Sequence, residues 1–208
     1  MERLGVLGGS FDPPHLGHLA IAQAAQEQLP LDRVLWVPAG LPPHKTNHAD
    51  DHHRVAMTEL TISDNPRFSL SRLDVDRPGP HFTSDLLALL HAEFCGQAQF
   101  WFVVGSDSLR DLASWHEPAR ILGYCRLAVY PRHARINWRA LKKVVPEVRT
   151  RVDRLAGKPL SISSTKIRER LRKGESIRDW VHPQVESYIR QHGLYGCRQP
   201  HASTIGDQ

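Results

Sequence analysis

A segment near the N-terminus combines paired glycines with two histidines in a pattern that suits phosphate binding. It runs from Gly8 to His18 (GGSFDPPHLGH), between a short apolar run and a helical pattern. The glycines allow a tight turn and close approach of backbone N–H groups to an anion, and the helix start adds partial positive charge. His15 and His18, three positions apart, project from one helix face and can donate N–H bonds to phosphate oxygens. The segment is not a Walker loop, because no Gly-Lys-Ser/Thr follows it, and it is not a dinucleotide fingerprint, because Gly-x-Gly-x-x-Gly is absent.

A second segment with phosphate-binding character lies far along the chain. Residues 161–168 read SISSTKIR, which places hydroxyl groups at a helix start and a basic residue about one turn later. Ser163 can cap the helix, and capping alone would explain it. Arg168 can fork onto phosphate oxygens.

A proline turn follows the second apolar run. Residues 41–45 read LPPHK, and the rigid turn could hold His44 and Lys45 toward an anionic phosphate. The alternative is an ordinary exposed basic loop.

Two further residues have a structural and a functional interpretation. Asp107, in the segment 105–109 (GSDSL), could accept hydrogen bonds from ribose hydroxyls or cap a helix over residues 106–113. Trp115, in the segment 114–116 (SWH), could stack on a flat ring or belong to the core. The residues themselves leave both questions open.

The elements that must position these side chains follow from hydrophobic periodicity. Strands are predicted at Leu4–Leu7, Val34–Val37, Phe68–Leu73, Gln99–Val104 and Leu127–Tyr130. Helices are predicted between them at Leu16–Leu29, His53–Ile62 and Ser84–Phe94. This alternation favours a doubly wound α/β fold, a parallel sheet with helices on both faces. Loops 8–15, 38–50 and 105–116 should then be neighbours at one edge of the sheet.

The pattern becomes helical after residue 131. Helices are predicted at Asn137–Val145, Glu147–Leu155, Ser163–Lys173 and Pro183–His192, and a short strand near Pro159–Ser161 could close the sheet. No linker divides the chain. We therefore expect one domain over residues 1–197, with a helical C-terminal part at 137–195 and a flexible tail at 198–208.

Composition excludes several classes of protein. Hydrophobic residues make up 40% of the 208 residues, which is typical of a globular chain. The longest apolar run, Phe100–Val104, is far shorter than a membrane span, and the N-terminus lacks a signal-peptide core. The 3 cysteines are far apart and form no disulfide or zinc pattern. We expect a cytoplasmic protein without a membrane partner.

The net charge of +5 is unevenly distributed along the chain. Residues 131–200 hold 17 basic and 6 acidic side chains, whereas acidic residues are in excess before them. Such an asymmetry fits a nucleic-acid surface, an anionic small substrate or a solvated helical face.

The segment from Gly8 to His18 closely resembles the nucleotidyltransferase superfamily, whose signature is His-x-Gly-His in the first strand–helix turn. Residues 162–168 are similar to its Ile-Ser-x-x-x-Ile-Arg segment, which holds the β- and γ-phosphates of ATP. The resemblance implies a Rossmann-like nucleotidyltransferase fold and adenylyl transfer from ATP, with Mg²⁺ carried by the nucleotide. The implied catalytic residues are His15, His18 and Arg168. The implied ATP contacts are Gly8, Gly9, Ser10, Phe11, Gly17, Gly105, Asp107, Ile162, Ser163 and Arg168.

From Gly5 to Tyr195 the chain resembles the nicotinate-nucleotide adenylyltransferase family. That resemblance implies nicotinate mononucleotide as the second substrate, with contacts at His44, Lys45, Thr83, Trp115 and His116. His116 departs from the tyrosine often found beside this tryptophan. The implied pathway is NAD biosynthesis, with no nucleic acid and no resident metal.

Other functions remain open from the sequence. A related adenylyltransferase could use another phosphorylated acceptor, such as phosphopantetheine. A nucleic-acid-binding protein could use the basic C-terminal region, although its aromatic residues are widely spaced. The segment 48–53 (HADDHH) has residue types that suit zinc or iron at an irregular spacing. The oligomeric state, monomer or homodimer, is also open.

Overall fold

The computed structural model describes residues 1–40, 49–132 and 134–197, and within them it contains a six-stranded, all-parallel sheet. The strands are β1 (Glu2–Gly9), β2 (Arg33–Pro38), β3 (Phe68–Leu70), β4 (Ala98–Gly105), β5 (Cys125–Tyr130) and β6 (Val152–Arg154). Their order across the sheet is β3-β2-β1-β4-β5-β6. This is the order of a doubly wound, Rossmann-like sheet, so the predicted fold class is confirmed.

Eight α-helices connect or follow these strands in the described ranges. They are α1 (Leu16–Gln28), α2 (Asp51–Ile62), α3 (Thr83–Glu93), α4 (Ser106–Asp111), α5 (Pro118–Tyr124), α6 (Trp138–Val144), α7 (Ser164–Arg172) and α8 (Pro183–Gln191). Short 3-10 turns occur at Leu112–Ser114, Val148–Arg151 and Leu194–Gly196. None of these helices is long and apolar enough to cross a membrane.

The central strands are apolar on both faces because helices cover both sides of the sheet. In β4, Phe100 and Phe102 belong to one buried cluster, and Trp101 and Val103 belong to another. Successive side chains of a strand point to opposite faces, so a fully covered strand has no polar side. This explains why the sequence of β4 is a continuous apolar run.

A third buried cluster joins α2 to the C-terminal helices. It contains Met57 of α2, Ile167 of α7, Val185 and Ile189 of α8, and Tyr195 beyond α8. The last helices therefore pack beside the β1–α1 connection. As a result, segments that are distant in sequence can contact the glycine-rich loop.

The sequence prediction is wrong in two places after residue 145. The predicted helix Glu147–Leu155 is a 3-10 turn followed by β6, and β6 closes the sheet instead of Pro159–Ser161. The apolar spacing there fits a helix, but the segment is held as a strand through Asp153. Its carboxylate accepts hydrogen bonds from Trp101 Nε1 at 2.9 Å and from the Arg126 guanidinium at 2.6 and 2.7 Å.

The carboxyl ends of β1, β2 and β4 lie at one edge, as the parallel topology predicts, and most of the loop 38–50 lies outside the described residues. The amide of Ala39, just after β2, donates to the carbonyl of Gly9 at the end of β1 at 2.8 Å. This contact puts the glycine-rich loop in the centre of that edge.

Candidate active site

A cleft of about 650 Å³ opens at the carboxyl edge of the sheet. Side chains and backbone from the β1–α1 loop, the ends of β2 and β4, α3, α4 and α7 line it. Among the sequence-predicted residues its walls include Gly8, Gly9, Ser10, Phe11, His18, Thr83, Gly105, Asp107, Trp115 and Arg168. The fold thus brings both predicted phosphate segments and the predicted aromatic segment to one cavity.

The glycine-rich loop turns sharply around Phe11. This residue has a φ of 47°, in the left-handed region that is costly for a bulky side chain, and its ring is 1% exposed. A Cβ on Gly9 would lie 3.0 Å from that ring, so glycine leaves the space that the ring occupies. The ring also packs on Trp36 with centroids 5.3 Å apart. The loop therefore keeps its shape through the packing of Phe11.

The two histidines of the motif form a stacked pair. Their ring centroids are 3.7 Å apart, and the amide of His15 donates to Nδ1 of His18 at 3.3 Å. Because Nδ1 of His18 accepts, a neutral His18 ring carries its proton on Nε2. A Cβ on Gly17 would lie 2.9 Å from the His15 ring, so glycine at this position makes room for that ring. Gly17 is thus needed for the packing of His15.

Only one histidine of this pair is on the cleft wall. Of the described residues, His18 lines the cleft, whereas His15 lies beneath it at 3% exposure and is not on the wall. Burial, with a smaller contribution from the positive charge of Arg132, lowers the pKa of His15 to about 3. His15 is therefore neutral at pH 7 and supports His18 from behind.

Asp107 lies on the cleft wall and does not cap a helix. It is the second residue of α4, whose N-cap is Gly105. Its Oδ2 accepts from Arg132 Nη1 at 3.2 Å, and Oδ1 is buried without a partner among the described residues. A Cβ on Gly105 would lie 2.4 Å from Asp107 Oδ1, so this glycine permits the close approach. Of the two alternatives left open for Asp107, the capping one is wrong.

The start of α7 meets the glycine-rich loop with an offset of one residue from the sequence prediction. Ser163 is the N-cap, and its Oγ accepts from the amide of Lys166 at 3.3 Å. Ser164 and Thr165 line the cleft in its place, and Ser164 Oγ donates to the carbonyl of Pro13 at 2.9 Å. The first residues of the helix, beyond its cap, therefore face the cleft.

Arg168 and Ile162, which both match the family segment, lie in different surroundings. Arg168 lines the cleft, and its Nη1 donates to the carbonyl of Asp12 at 2.7 Å. Ile162 packs against the C-terminal apolar cluster and lies 3.9 Å from the place of a Cβ on Gly17. Arg168 can contact a ligand directly, whereas Ile162 supports the histidine turn.

The other side of the cleft is aromatic. Thr83 begins α3 on the cleft wall, and the half-buried indole of Trp115 packs edge-to-face on Phe102 with ring centroids 6.2 Å apart. His116 is not among the described wall residues, and its ring stacks on Phe82 at 4.1 Å. His44 and Lys45 lie outside the described residues.

Sequence reasoning missed a buried acidic residue and its neighbours on this wall. Asp74 and His81 line the cleft, and Asp74 accepts from the amide of Gly40 at 3.1 Å and from Arg77 Nε at 2.8 Å. A Cβ on Gly40 would lie 2.2 Å from the His81 ring. Asp74 lies in the segment Arg72-Leu73-Asp74-Val75-Asp76-Arg77, in which charged and apolar residues alternate, and nothing in this pattern distinguishes the buried Asp74 from the exposed Asp76.

Two arginines were also missed. Arg132 lines the cleft beside Asp107. Arg54 is completely buried in α2, and its Nη1 donates to the carbonyl of Ser10 at 2.6 Å. The only sequence signal for Arg132 is its position two residues after a strand that ends at the cleft edge. Arg54 has none, because an arginine on a helix is normally exposed.

Comparisons with known proteins agree with this arrangement. The cytidylyltransferase-like family model matches residues 6–170. A protein of Thermomicrobium roseum named "Probable nicotinate-nucleotide adenylyltransferase" is 43% identical over 198 residues, which cover 94% of this chain and 92% of that protein. One of the same name from Thermus thermophilus is 45% identical, covering 93% of this chain and 99% of its own length.

A solved structure has the same fold over nearly the whole chain. It is the Plasmodium falciparum nicotinic acid mononucleotide adenylyltransferase complexed with NaAD. The TM-score is 0.79 at 25% identity, and the match covers 96% of this chain and 100% of that one.

The buried His15 makes a testable contribution to the pH dependence of stability. Below pH 6.5 the unfolded chain gains a proton on His15 that the folded chain takes up only near pH 3, so the folded state loses stability as the pH falls. Between pH 7.5 and 5.5 this amounts to about 1.4 kcal/mol. Urea denaturation at both pH values should show the wild type losing about 1.4 kcal/mol more than His15→Asn. The control His91→Asn, at an exposed position, should keep the wild-type dependence, and equal losses in all three proteins would contradict the assignment.

Proposed function

The chain belongs to the cytidylyltransferase-like family and, within it, to the nicotinate-nucleotide adenylyltransferases, and from that premise we propose that it transfers AMP from ATP to nicotinate mononucleotide. The products are deamido-NAD and pyrophosphate. One observation carries the proposal: a single cleft has phosphate-binding groups on one side and an aromatic wall on the other. Two nucleotides that meet at their phosphates need that division.

ATP occupies the side formed by the glycine-rich loop and α7. The backbone around Gly9 and Ser10 approaches the phosphates, and the ring of His18 faces the α-phosphate. Arg168 and the hydroxyls of Ser164 and Thr165 bind the β- and γ-phosphates. These assignments are supported by the position of all six residues on the cleft wall and by the motif resemblance.

Nicotinate mononucleotide occupies the aromatic side. Trp115 stacks on the pyridine ring, and Thr83 together with the backbone at Trp115 and His116 binds the carboxylate. His116 stacks on Phe82, which fixes its backbone and leaves its side chain out of the contact. His44 and Lys45 bind the substrate phosphate, as the resemblance implies.

The reaction is a direct in-line displacement. A phosphate oxygen of nicotinate mononucleotide attacks the α-phosphorus of ATP, the bond from that phosphorus to the bridging oxygen breaks, and pyrophosphate leaves with the bond electrons. No side-chain nucleophile takes part. The chain contributes positioning and charge stabilisation, with the Nε2 proton of His18 at the α-phosphate and Arg168 at the leaving group.

Mg²⁺ bound to ATP would supply charge neutralisation at the phosphate oxygens. In the parts of the chain that the structure describes, no three His, Cys, Asp or Glu side chains converge to hold a metal. The groups near the loop include hydroxyl and cationic donors such as Ser164 and Arg168, which suit phosphate, and one carboxylate, Asp12, whose Oδ1 accepts hydrogen bonds from Tyr195 and Ala49. This donor set fits a metal held mainly by the nucleotide.

The basic C-terminal region does not favour a nucleic-acid partner. Arg149 and Arg154 lie over the ring of Trp138, at 5.2 and 5.4 Å from its centroid. Arg170 lies over the ring of Trp180 at 5.0 Å. These rings are covered by side chains of the same chain, so they offer no stacking platform for bases.

The substrate assignment predicts a clear order among acceptors. With ATP and Mg²⁺, pyrophosphate release should be fastest with nicotinate mononucleotide, slower with nicotinamide mononucleotide and absent with phosphopantetheine. A coupled pyrophosphate assay with all three acceptors side by side measures this. If phosphopantetheine were the only active acceptor, the proposed acceptor would be wrong. Activity with none of the three would contradict the proposed function.

His18 should be needed for turnover. We expect His18→Ala to lower kcat on the order of a hundredfold, because losing one preorganised donor at the developing charge costs about 3 kcal/mol. Steady-state kinetics with both substrates measures the effect. The control His192→Ala removes a histidine outside the cleft and should keep wild-type kcat; a wild-type rate for His18→Ala would remove the proposed role.

Trp115 should contribute to the binding of nicotinate mononucleotide and not to the binding of ATP. Trp115→Ala should raise the KM for nicotinate mononucleotide about fivefold, since a lost ring stack costs about 1 kcal/mol, while the KM for ATP changes little. The matched control is Trp138→Ala, which removes another half-buried indole outside the cleft. If both variants had the same KM for nicotinate mononucleotide, Trp115 would be a core residue only.

A further inference from the structure

The chain end beyond α8 places one side chain against the glycine-rich loop. Tyr195 lies in a tight turn in which Gly193 and Gly196 also have positive φ values, and its own φ is 60°. A left-handed conformation at a tyrosine is unfavourable and persists only when other contacts offset it. The buried ring packs in the C-terminal apolar cluster, which supplies part of that compensation.

The hydroxyl of Tyr195 makes a separate contact with the glycine-rich loop. It donates to Oδ1 of Asp12 at 2.7 Å, in a buried contact that joins positions 183 residues apart. The amide of Ala49 donates to the same oxygen at 3.2 Å. Burial next to the Asp12 carboxylate raises the pKa of Tyr195, so its hydroxyl remains a donor at every working pH.

Asp12 is placed where a small displacement would matter. It follows Phe11, the left-handed residue of the loop, and precedes the histidine turn. Its carboxylate is 4% exposed on the cleft wall, and its backbone carbonyl accepts from Arg168. Both the side chain and the backbone of Asp12 are therefore held by the C-terminal part of the chain.

The charge of Asp12 also needs a partner on physical grounds. A carboxylate beside the triphosphate site repels the ligand unless hydrogen bonds hold its charge in place and away from the phosphates. The charged groups around the Tyr195 hydroxyl are Asp12, Arg168 and Arg54. Removing the hydroxyl would leave the carboxylate with one fewer buried donor and freer to move toward the cleft.

We infer that Tyr195 is a positioning residue for the ATP side of the cleft, which it serves through its hydrogen bond to Asp12. The inference rests on the proposed function only in taking ATP as the nucleotide bound at the glycine-rich loop. Tyr195 does not line the cleft among the described residues, so it acts through the loop and not on the substrate. The ring stabilises the fold by packing in the apolar cluster, whereas the hydroxyl positions Asp12 of the loop.

The test compares two tyrosines that lose the same atom. Tyr195→Phe keeps the ring in the apolar cluster and removes the hydroxyl. The matched control is Tyr188→Phe, because Tyr188 lies in α8, packs on the same cluster and bonds His53 Nδ1 through its hydroxyl at 2.9 Å, away from the loop. Both variants lose one hydroxyl hydrogen bond of the C-terminal region.

Affinity for Mg·ATP is measured by calorimetry without an acceptor, with urea denaturation in parallel. We expect Tyr195→Phe to bind ATP about tenfold more weakly, because the buried hydrogen bond that it loses shapes the site. Tyr188→Phe should stay within about twofold of the wild-type affinity, because its hydrogen bond does not shape the site. In full kinetics, kcat/KM for ATP should fall in Tyr195→Phe, while the KM for nicotinate mononucleotide keeps its wild-type value. The loss of stability on its own cannot produce this split between the two substrates.

Three outcomes would overturn the inference. These are unchanged ATP affinity in Tyr195→Phe, equal loss of affinity in both variants, or a Tyr195→Phe chain that fails to fold and so assigns the hydroxyl to the fold as a whole. Failure of the proposed function looks different. If ATP binding depended on Tyr195 but no AMP reached nicotinate mononucleotide, the acceptor would be wrong and the inference on Tyr195 would stand.

Discussion

The structure depends on one backbone turn, the β1–α1 loop, whose shape is maintained by contacts from outside the turn. The β1–α1 loop must present N–H groups at a sharp bend, with Phe11 in a left-handed conformation and few hydrogen bonds inside the loop. Its carbonyls are instead bound from outside: Arg54 holds Ser10, Arg168 holds Asp12 and Ser164 holds Pro13. Two of these three donors belong to α7, so without that helix the carbonyls of Asp12 and Pro13 would lose their hydrogen-bond donors.

The His-x-Gly-His spacing has a packing explanation as well as a chemical one. His15 lies over the Cα of Gly17, so any side chain there would push the ring away, and His18 stacks on His15. Burial keeps His15 neutral, which avoids placing two positive rings at van der Waals distance. One histidine thus serves to support the other. This division of roles cannot be read from the motif, in which the two residues look equivalent.

Much of the fold could be predicted from the sequence because covered parallel strands are continuous apolar runs and their helices are periodic. The failures share a cause. The edge strand β6 has only three residues and is fixed by the contacts of Asp153 with β4 and β5, so local pattern favours a helix there. In the site, local motifs identified the loop and α7, but Asp74 and Arg132 on the cleft wall, and the buried Arg54 behind the loop, are placed by contacts with residues distant in sequence. Such residues carry no local signature, because burial of a charge is decided by a partner elsewhere in the chain.

Three arginines at or behind the cleft are held by hydrogen bonds within the chain. Arg132 is paired with Asp107, Arg168 with the carbonyl of Asp12, and Arg54 with both Asp51 and the carbonyl of Ser10. A long cationic side chain loses conformational entropy when it binds phosphate. This loss weakens binding unless the side chain is already ordered in the folded protein. Here Arg54 and Arg168 are held by carbonyls of the glycine-rich loop, and Arg132 is held by the Asp107 carboxylate. The position of each arginine therefore matters more than the total charge of the chain: Arg132 and Arg168 are held on the cleft wall, while other arginines cover tryptophan rings.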